Sequence, residues 1–228
     1  MNVLSPYQVF KPHGSVELEE FSGSDLSVVN AARVSFAKHS KWYSETDARV
    51  LRFLMKDKHG TPFEHNYFRW HVRAPMIVFW EWVRHRMASY NVESGRYVEL
   101  RPHFYIPDKS RTQHGRPGDY HFKEGNREQT DWLQKELSDH AKMCFMRYEE
   151  AIERGIAKEQ ARLFIPTYIY VEFYFSCNAR SLMNFLSLRN DGHAMYEIQK
   201  YAEALEYLWG QVMPDTQRAF IEGGRIAP

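Results

Sequence analysis

A chain of 228 residues can bury a core without disulfides or metals to staple it and is of a length for one domain, here taken as residues 1–228. Thirty Lys and Arg against 29 Asp and Glu leave a net charge of +1, which argues against nonspecific binding along nucleic acid and makes any anion site a local one. The two cysteines, Cys144 and Cys177, form no C-x-x-C pair, which argues against a disulfide framework or a zinc–cysteine site and leaves them as small core fillers. No basic segment leads into an apolar run at the N-terminus and no stretch approaches the roughly 18 apolar residues of a membrane span. The expected compartment is therefore the cytoplasm. Aromatic residues reach 15%, which suits a large core, flat ligands or subunit interfaces alike.

In chain order, "SVELEEF" from Ser15 to Phe21 is a short strand candidate. "SETD", Ser44 to Asp47, has the form of a capping box, and Val50, Leu51, Leu54 and Met55 continue it as an apolar helical stripe that should stop near Gly60. From Glu64 to Ala74, Phe68, Trp70 and Val72 alternate with Tyr67, Arg69, His71 and Arg73, the pattern of a half-buried strand. Pro75 suits a first helical position, and "MIVFWEWV" after it is apolar nearly all round, predicting a buried helix that delivers Arg84 at its far end. Pro107 to Asn126, rich in Pro, Gly and charge, reads as a long exposed loop able to cover a ligand. Leu133, Leu137, Ala141, Cys144, Tyr148 and Ile152 predict a long helix ending near Gly155. "TYIYVEFYFS", Thr167 to Ser176, is β-branched and aromatic on both faces, as in a central or interfacial strand. Ile198, Tyr201, Leu205, Leu208 and Val212 predict a further helix ended by Pro214. The class is α+β with more helix than strand, and there is no internal repeat.

Three clusters carry binding chemistry. Arg84-His85-Arg86 ends the apolar helix; successive helical residues point 100° apart, so Arg84 and Arg86 share one small ligand only if the helix unwinds there, and otherwise serve two phosphates or two ligands. Cations at a helix C-terminus also complement its dipole with no further role. "SGR", Ser94 to Arg96, adds a hydroxyl, a closely approachable glycine and another guanidinium, a set suited to phosphate. "HGTPFEH" places His59, Thr61 and Glu64 in one turn. The spacing of His59, His65 and His71 invites a metal reading, but no H-E-x-x-H or cysteine partner supports it, and no metal is expected. In "NARSLMNFLSLRNDGH", Asn178 caps a helix whose Leu182, Met183, Phe185 and Leu186 face inward while Arg180 and Asn184 share the polar face. Arg189 falls on the opposite side, toward a different ligand or a neighbouring subunit. Arg162 beside apolar residues is explained by an ion pair with Glu159. Neither G-x-G-x-x-G nor G-x-x-x-x-G-K-[ST] is present, so phosphates must be held by arginines and helix ends.

Taken together and in this order, the clusters resemble the flavin-dependent thymidylate synthase family. The resemblance rests on Arg84-His85-Arg86, seven intervening residues and Ser94, reinforced by "AARVSF", "TPFEH", "SGRY", "NARSLMNF" and "LRNDGHAMYEIQ", which span residues 31 to 199. It implies a homotetramer with a mainly antiparallel sheet packed against several helices, in which FAD lies where subunits meet with dUMP stacked near it. It further implies NADPH as reductant and methylenetetrahydrofolate as carbon donor, with dTMP as product. Carried over residue by residue, FAD meets His59, Thr61, Arg84, His85, Arg86, Asn178, Arg180 and Asn184, with Ser35, Glu64 and His193 nearby. The nucleotide meets Glu81, Arg84, Ser94, Gly95, Arg96, Arg162 and Arg189. Arg189 is the candidate catalytic group, since a fixed guanidinium stabilises the negative charge that uracil must carry for its C5 to attack. Ser94 lacks an obvious base and is assigned to binding. Two positions depart from the family pattern: Val92 with Glu93 displaced by one, and Glu81 where glutamine is common, so the backbone is the expected contact at both. Two other readings are open, a different FAD-dependent oxidoreductase and a single-stranded nucleic-acid binder that stacks bases on Tyr90, Tyr97, Tyr168 and Tyr170.

Overall fold

The computed structural model describes residues 4–228. Two compact units emerge: one holds the chain up to Arg73 with Glu81–Asn91 and Glu172–Pro228, the other Ala74–Trp80 with Val92–Val171. The strands are β1 (Tyr7–Gln8), β2 (Ser15–Ser22), β3 (Tyr67–Pro75), β4 (Ser89–Val92), β5 (Arg111–Arg116), β6 (Asp119–Glu124) and β7 (Tyr170–Cys177). The helices are α1 (Asp25–Arg33), α2 (Glu45–Lys56), α3 (Met76–Trp82), α4 (Arg127–Glu153), α5 (Lys158–Ala161), α6 (Ala179–Arg189), α7 (Tyr196–Val212) and α8 (Pro214–Glu222). The α+β class is as expected, and no helix among the described residues is long and apolar enough to cross a membrane.

The first unit is built on a five-stranded sheet in the order β1-β2-β3-β7-β4. β2 and β3 run antiparallel, pairing Val16 with Val72, Leu18 with Trp70 and Phe21 with Phe68, so the alternation legible in both strands puts one apolar face inward. The register slips between Leu18 and Glu20, and this bulge lets Glu19 and Glu20 both reach Arg69, at 3.4 and 2.9 Å. β7 is central as expected, yet it alternates: Val171, Phe173 and Phe175 are buried while Tyr174 stays exposed. The buried stripes of α6 (Leu182, Met183, Phe185, Leu186) and α7 (Ile198, Tyr201, Leu205, Leu208) complete this core. At its centre Trp82 meets the rings of Phe173, Phe175, Phe185 and Tyr201, with centroids 4.9–6.0 Å apart.

Several expectations need correction. Pro75 closes β3, and α3 begins one residue later. α3 buries Val78 and Trp82 but exposes Ile77 and Trp80, so it is amphipathic rather than enclosed, and it ends two residues before Arg84. His65 precedes β3 and does not share a strand face with His71, which pairs with Glu172 at 3.3 Å. Cys177 is a buried filler whose thiol pKa burial pushes up, whereas Cys144 is half-exposed with its sulfur 3.3 Å from His140 Nε2.

In the second unit the Pro107 to Asn126 stretch is not a structureless loop: β5 and β6 pair as a hairpin from Arg111 opposite Glu124 to Arg116 opposite Asp119, turning at Gly118 with φ of 86°. The long helix α4 ends as predicted, with Gly155 in the left-handed region at φ of 77°. Tyr148, Ala151 and Ala161 form a small core with Leu100, Phe145, Ile152 and Ile165 around it, and the Tyr148 hydroxyl accepts from the Leu100 N–H at 3.0 Å.

Candidate active site

Helical structure stops at Trp82, and residues 83–88 belong to no helix or strand before β4 begins. The unwinding that Arg84 and Arg86 need in order to share a ligand is therefore present. Four hydrogen bonds fix this stretch. The Glu81 carbonyl accepts from Arg189 Nη2 at 3.1 Å, and the Trp82 carbonyl accepts from the His85 N–H at 3.1 Å. The Tyr90 hydroxyl is shared between the carbonyls of Trp82 at 3.1 Å and His85 at 2.8 Å. The result turns the His85 ring inward, 4.7 Å from that of Phe185, and leaves Arg84 and Arg86 exposed.

Arg189, at the last turn of α6, is 19% exposed and held on three nitrogens: Nη1 lies 3.2 Å from Glu81 Oε2, Nη2 donates to the Glu81 carbonyl, and Nε donates to His85 Nε2 at 3.0 Å. A guanidinium only donates, so His85 Nε2 must carry its lone pair and Nδ1 its proton. Burial first, and the Arg189 charge second, lower the His85 pKa to about 4, so the ring is neutral at physiological pH.

Around this pair lies a hollow of about 250 Å³ lined by Arg84, His85, Arg86, Met87, Ala88, Phe175, Ser181, Asn184, Leu188 and Arg189. Arg84, Arg86 and Asn184 have no partner among the described residues. The combination is a rim of free donors around an apolar wall, suited to an anionic group attached to a flat ring. Met87, Ala88, Phe175, Ser181 and Leu188 were not expected here. Ser181 and Leu188 were within reach of the sequence, being one turn either side of Asn184 on the same helix.

A second group gathers at the other end of α6. The Asn178 side chain caps the helix by accepting from the Ser181 N–H at 2.9 Å, as predicted. The Arg180 guanidinium bonds to the Glu64 carboxylate, and its Nε donates to the Pro228 carbonyl at 3.0 Å. A Cβ on Gly60 would stand 2.5 Å from Arg180 Nε, so glycine is what admits the guanidinium. His59 and Thr61 flank Gly60; both are exposed, and the His59 ring stands edge-on to Phe53. Arg180 and Arg189 diverge as helix geometry requires. Asn184, expected to act with Arg180, instead lines the hollow with Arg189, because Arg180 folds back toward Glu64.

In the second unit the Ser94 carbonyl accepts from the N–H groups of Tyr97 and Val98, making a tight turn, and Gly95 is buried, with Leu100 at 3.3 Å from a notional Cβ. Arg96 Nε contacts Glu159 Oε2 at 3.1 Å. The expected Arg162–Glu159 ion pair is absent: Arg162 Nε reaches only the Glu159 carbonyl, at 3.3 Å, because the carboxylate is taken by Arg96. Glu93 pairs with Arg101 at 3.0 Å. Neither Ser35, in an exposed 3-10 turn, nor His193, which pairs with Asp191 at 2.9 Å, lines the hollow. Among the proposed base-stacking tyrosines, Tyr90 and Tyr168 spend their hydroxyls on backbone carbonyls and Tyr170 is buried. Tyr97 alone of the four is largely exposed.

Residues 17–215 match the family model described as thymidylate synthase complementing protein. A flavin-dependent thymidylate synthase of Tropheryma whipplei (strain TW08/27) is 42% identical over 233 residues, covering 96% of this chain and 97% of that protein. One from Streptomyces coelicolor is 42% identical over 229 residues, covering 94% and 93%. The crystal structure of the UMP/dUMP methylase PolB from Streptomyces cacaoi bound with 5-Br dUMP superposes with a TM-score of 0.88 at 39% identity, covering 94% of this chain and 97% of that one. The chain belongs to the flavin-dependent thymidylate synthase family. The alternative readings, a different flavin oxidoreductase and a nucleic-acid binder, draw no support from these matches.

Proposed function

We propose that this protein converts dUMP to dTMP, with methylenetetrahydrofolate as carbon donor and FAD, reduced by NADPH, as reductant, in a homotetramer whose subunits share each site. The observation that carries the reading is Arg189, immobilised by Glu81 and His85 at the edge of a hollow rimmed by two arginines that have no partner among the described residues. Family membership over residues 17–215, which spans both compact units, supports treating residues 1–228 as one functional domain.

The donor set fits a flavin dinucleotide. Arg84, Arg86 and Asn184 offer unspent donors for its phosphates, the neutral His85 offers an Nδ1–H, and Phe175 and Leu188 supply an apolar wall for a ring. The Arg180–Glu64 pair and Asn178, with His59 and Thr61 beside them, would hold the remainder, and Ser35 and His193 are assigned to the same ligand from a neighbouring subunit. A hollow of about 250 Å³ is below the roughly 300–1,000 Å³ of complete small-ligand sites, in keeping with one protomer covering part of the cofactor. When bound, the flavin supplies the two-electron reduction that turns the transferred carbon into a methyl group.

The chain's own work is to bind, orient and stabilise charge. Arg189 donates to His85 Nε2 and to the Glu81 carbonyl and lies 3.2 Å from the Glu81 carboxylate, so its plane is fixed while N–H groups remain for the uracil, where a positioned cation favours the anionic ring needed for attack from C5. Arg96, Arg162 and the Ser94–Gly95 turn are assigned to the nucleotide's phosphate. Ser94 binds rather than attacks, its Oγ having among the described residues only the Arg96 N–H, at 3.4 Å, as a hydrogen-bond partner. The test is an absorbance spectrum of the purified protein with and without dUMP. Flavin bands that shift on adding dUMP, and dTMP formed once methylenetetrahydrofolate and NADPH are supplied, are the expected results. A spectrum indifferent to dUMP, with no dUMP bound, overturns the reading.

A further inference from the structure

The turn that displays Arg84 and Arg86 has little to hold it. Residues 83–88 lie outside regular structure, and two guanidinium groups two residues apart repel each other. Apart from Tyr90, the backbone bond from the His85 N–H to the Trp82 carbonyl closes only its first part, and the two bonds from Arg189 reach the Glu81 carbonyl, still within α3, and the His85 ring, so neither holds the main chain of 83–88.

We infer that Tyr90 is a positioning residue for the site: its hydroxyl, set between the carbonyl oxygens of Trp82 and His85, staples the end of α3 to the first residues of β4 and so fixes the direction in which Arg84 and Arg86 leave the backbone. The ring is itself anchored, stacked on Phe175 with centroids 5.5 Å apart and planes 17° from parallel. Phe175 in turn lines the hollow, so the tyrosine joins the floor of the site to its cationic rim without itself lining the hollow. Burial raises the phenol pKa well above its ordinary value, which keeps the hydroxyl a donor throughout the physiological range. Without the staple, each arginine contact with an anion must order a turn that wild-type protein presents already ordered.

The inference rests on the hollow taking FAD, and its test separates the two claims. Flavin-depleted wild-type protein and Tyr90→Phe are titrated with FAD by fluorescence, and amide exchange is followed over residues 83–88. Phe keeps the stack on Phe175, so Y90F should melt close to wild type, bind FAD about tenfold more weakly, and exchange faster in that segment, since one lost hydrogen bond is worth close to a factor of ten. Wild-type affinity or unchanged exchange in Y90F overturns the inference. If Y90F melts far below wild type, Phe175→Leu decides, because it removes the stack and leaves the hydroxyl: retained segment protection supports the staple, and loss equal to that of Y90F refutes it. Wild-type protein that binds no FAD refutes the function reading instead, and faster exchange in Y90F still upholds the staple.

Discussion

His85 shows how one residue's surroundings choose its chemistry. A half-buried imidazole packed on Phe185 with a guanidinium on its Nε2 stays neutral until the pH falls to about 4, against 6.5 for the free side chain. In the unfolded chain it takes up a proton first, so folding stability is complete above about pH 6.5, declines as the pH falls from there toward 4, and has lost this contribution below that. His85→Gln should flatten that decline, as measured by melting temperatures at pH 7 and pH 5, while wild-type FAD affinity stays level from pH 8 to 6. The residue types at the site were legible in the sequence: arginines beside a Ser-Gly turn and an asparagine cap spell anion binding from composition and spacing alone. Partner choice was not. Glu159 stood three positions before Arg162 and still gave its carboxylate to Arg96, and Tyr90 read as a stacking surface until its hydroxyl was found on two carbonyls. Both outcomes depend on distances between segments that the sequence does not encode locally.

Among the elements, those with a long periodic stripe were foreseen, and short or fully exposed ones were missed, even α1 with its Ser24–Ser27 capping box. α1 buries only Val28 and Val29 of its apolar residues, too short a stripe to register, and α8 hid behind Pro214, which reads as the end of α7 and is also its own first helical residue. The hairpin β5–β6 escaped because β5 has no apolar residue and β6 alternates only at Tyr120 and Phe122, a pattern too short to stand out and exposed on both faces. Two of the missed helices, α1 and α8, are tied together: the buried carboxylate of Asp25 accepts from the Asp215 N–H at 3.1 Å, the Thr216 N–H at 2.8 Å and the Thr216 hydroxyl at 2.5 Å, capping α8 from the first turn of α1. Asp25→Ala strands those donors in the interior and should lower the unfolding free energy by about 2 kcal/mol, read from urea denaturation.

For the molecule as a whole, the single chain looks unfinished. Val34, Phe36 and Trp42 are 72%, 74% and 85% exposed, large apolar side chains in one short segment that water disfavours and that a second subunit in the proposed assembly would cover. The partial hollow and the stranded positions of Ser35 and His193 point the same way. Light scattering should therefore return four times the 27.2 kDa of the chain, and dilution that dissociates the assembly should release flavin with it. A monomer that retains one flavin per chain would contradict the shared site.

Gly60 carries no charge, donates nothing from a side chain and appears in no inventory of reactive groups. Yet the space its missing methyl leaves is where Arg180 runs on its way to Glu64. Alanine there makes that guanidinium shift while every ionisable residue in the chain stays the same. Two homologous chains with identical reactive residues can thus place Arg180 differently through one carbon atom, and any survey that scores relatives by their polar motifs alone will not tell them apart.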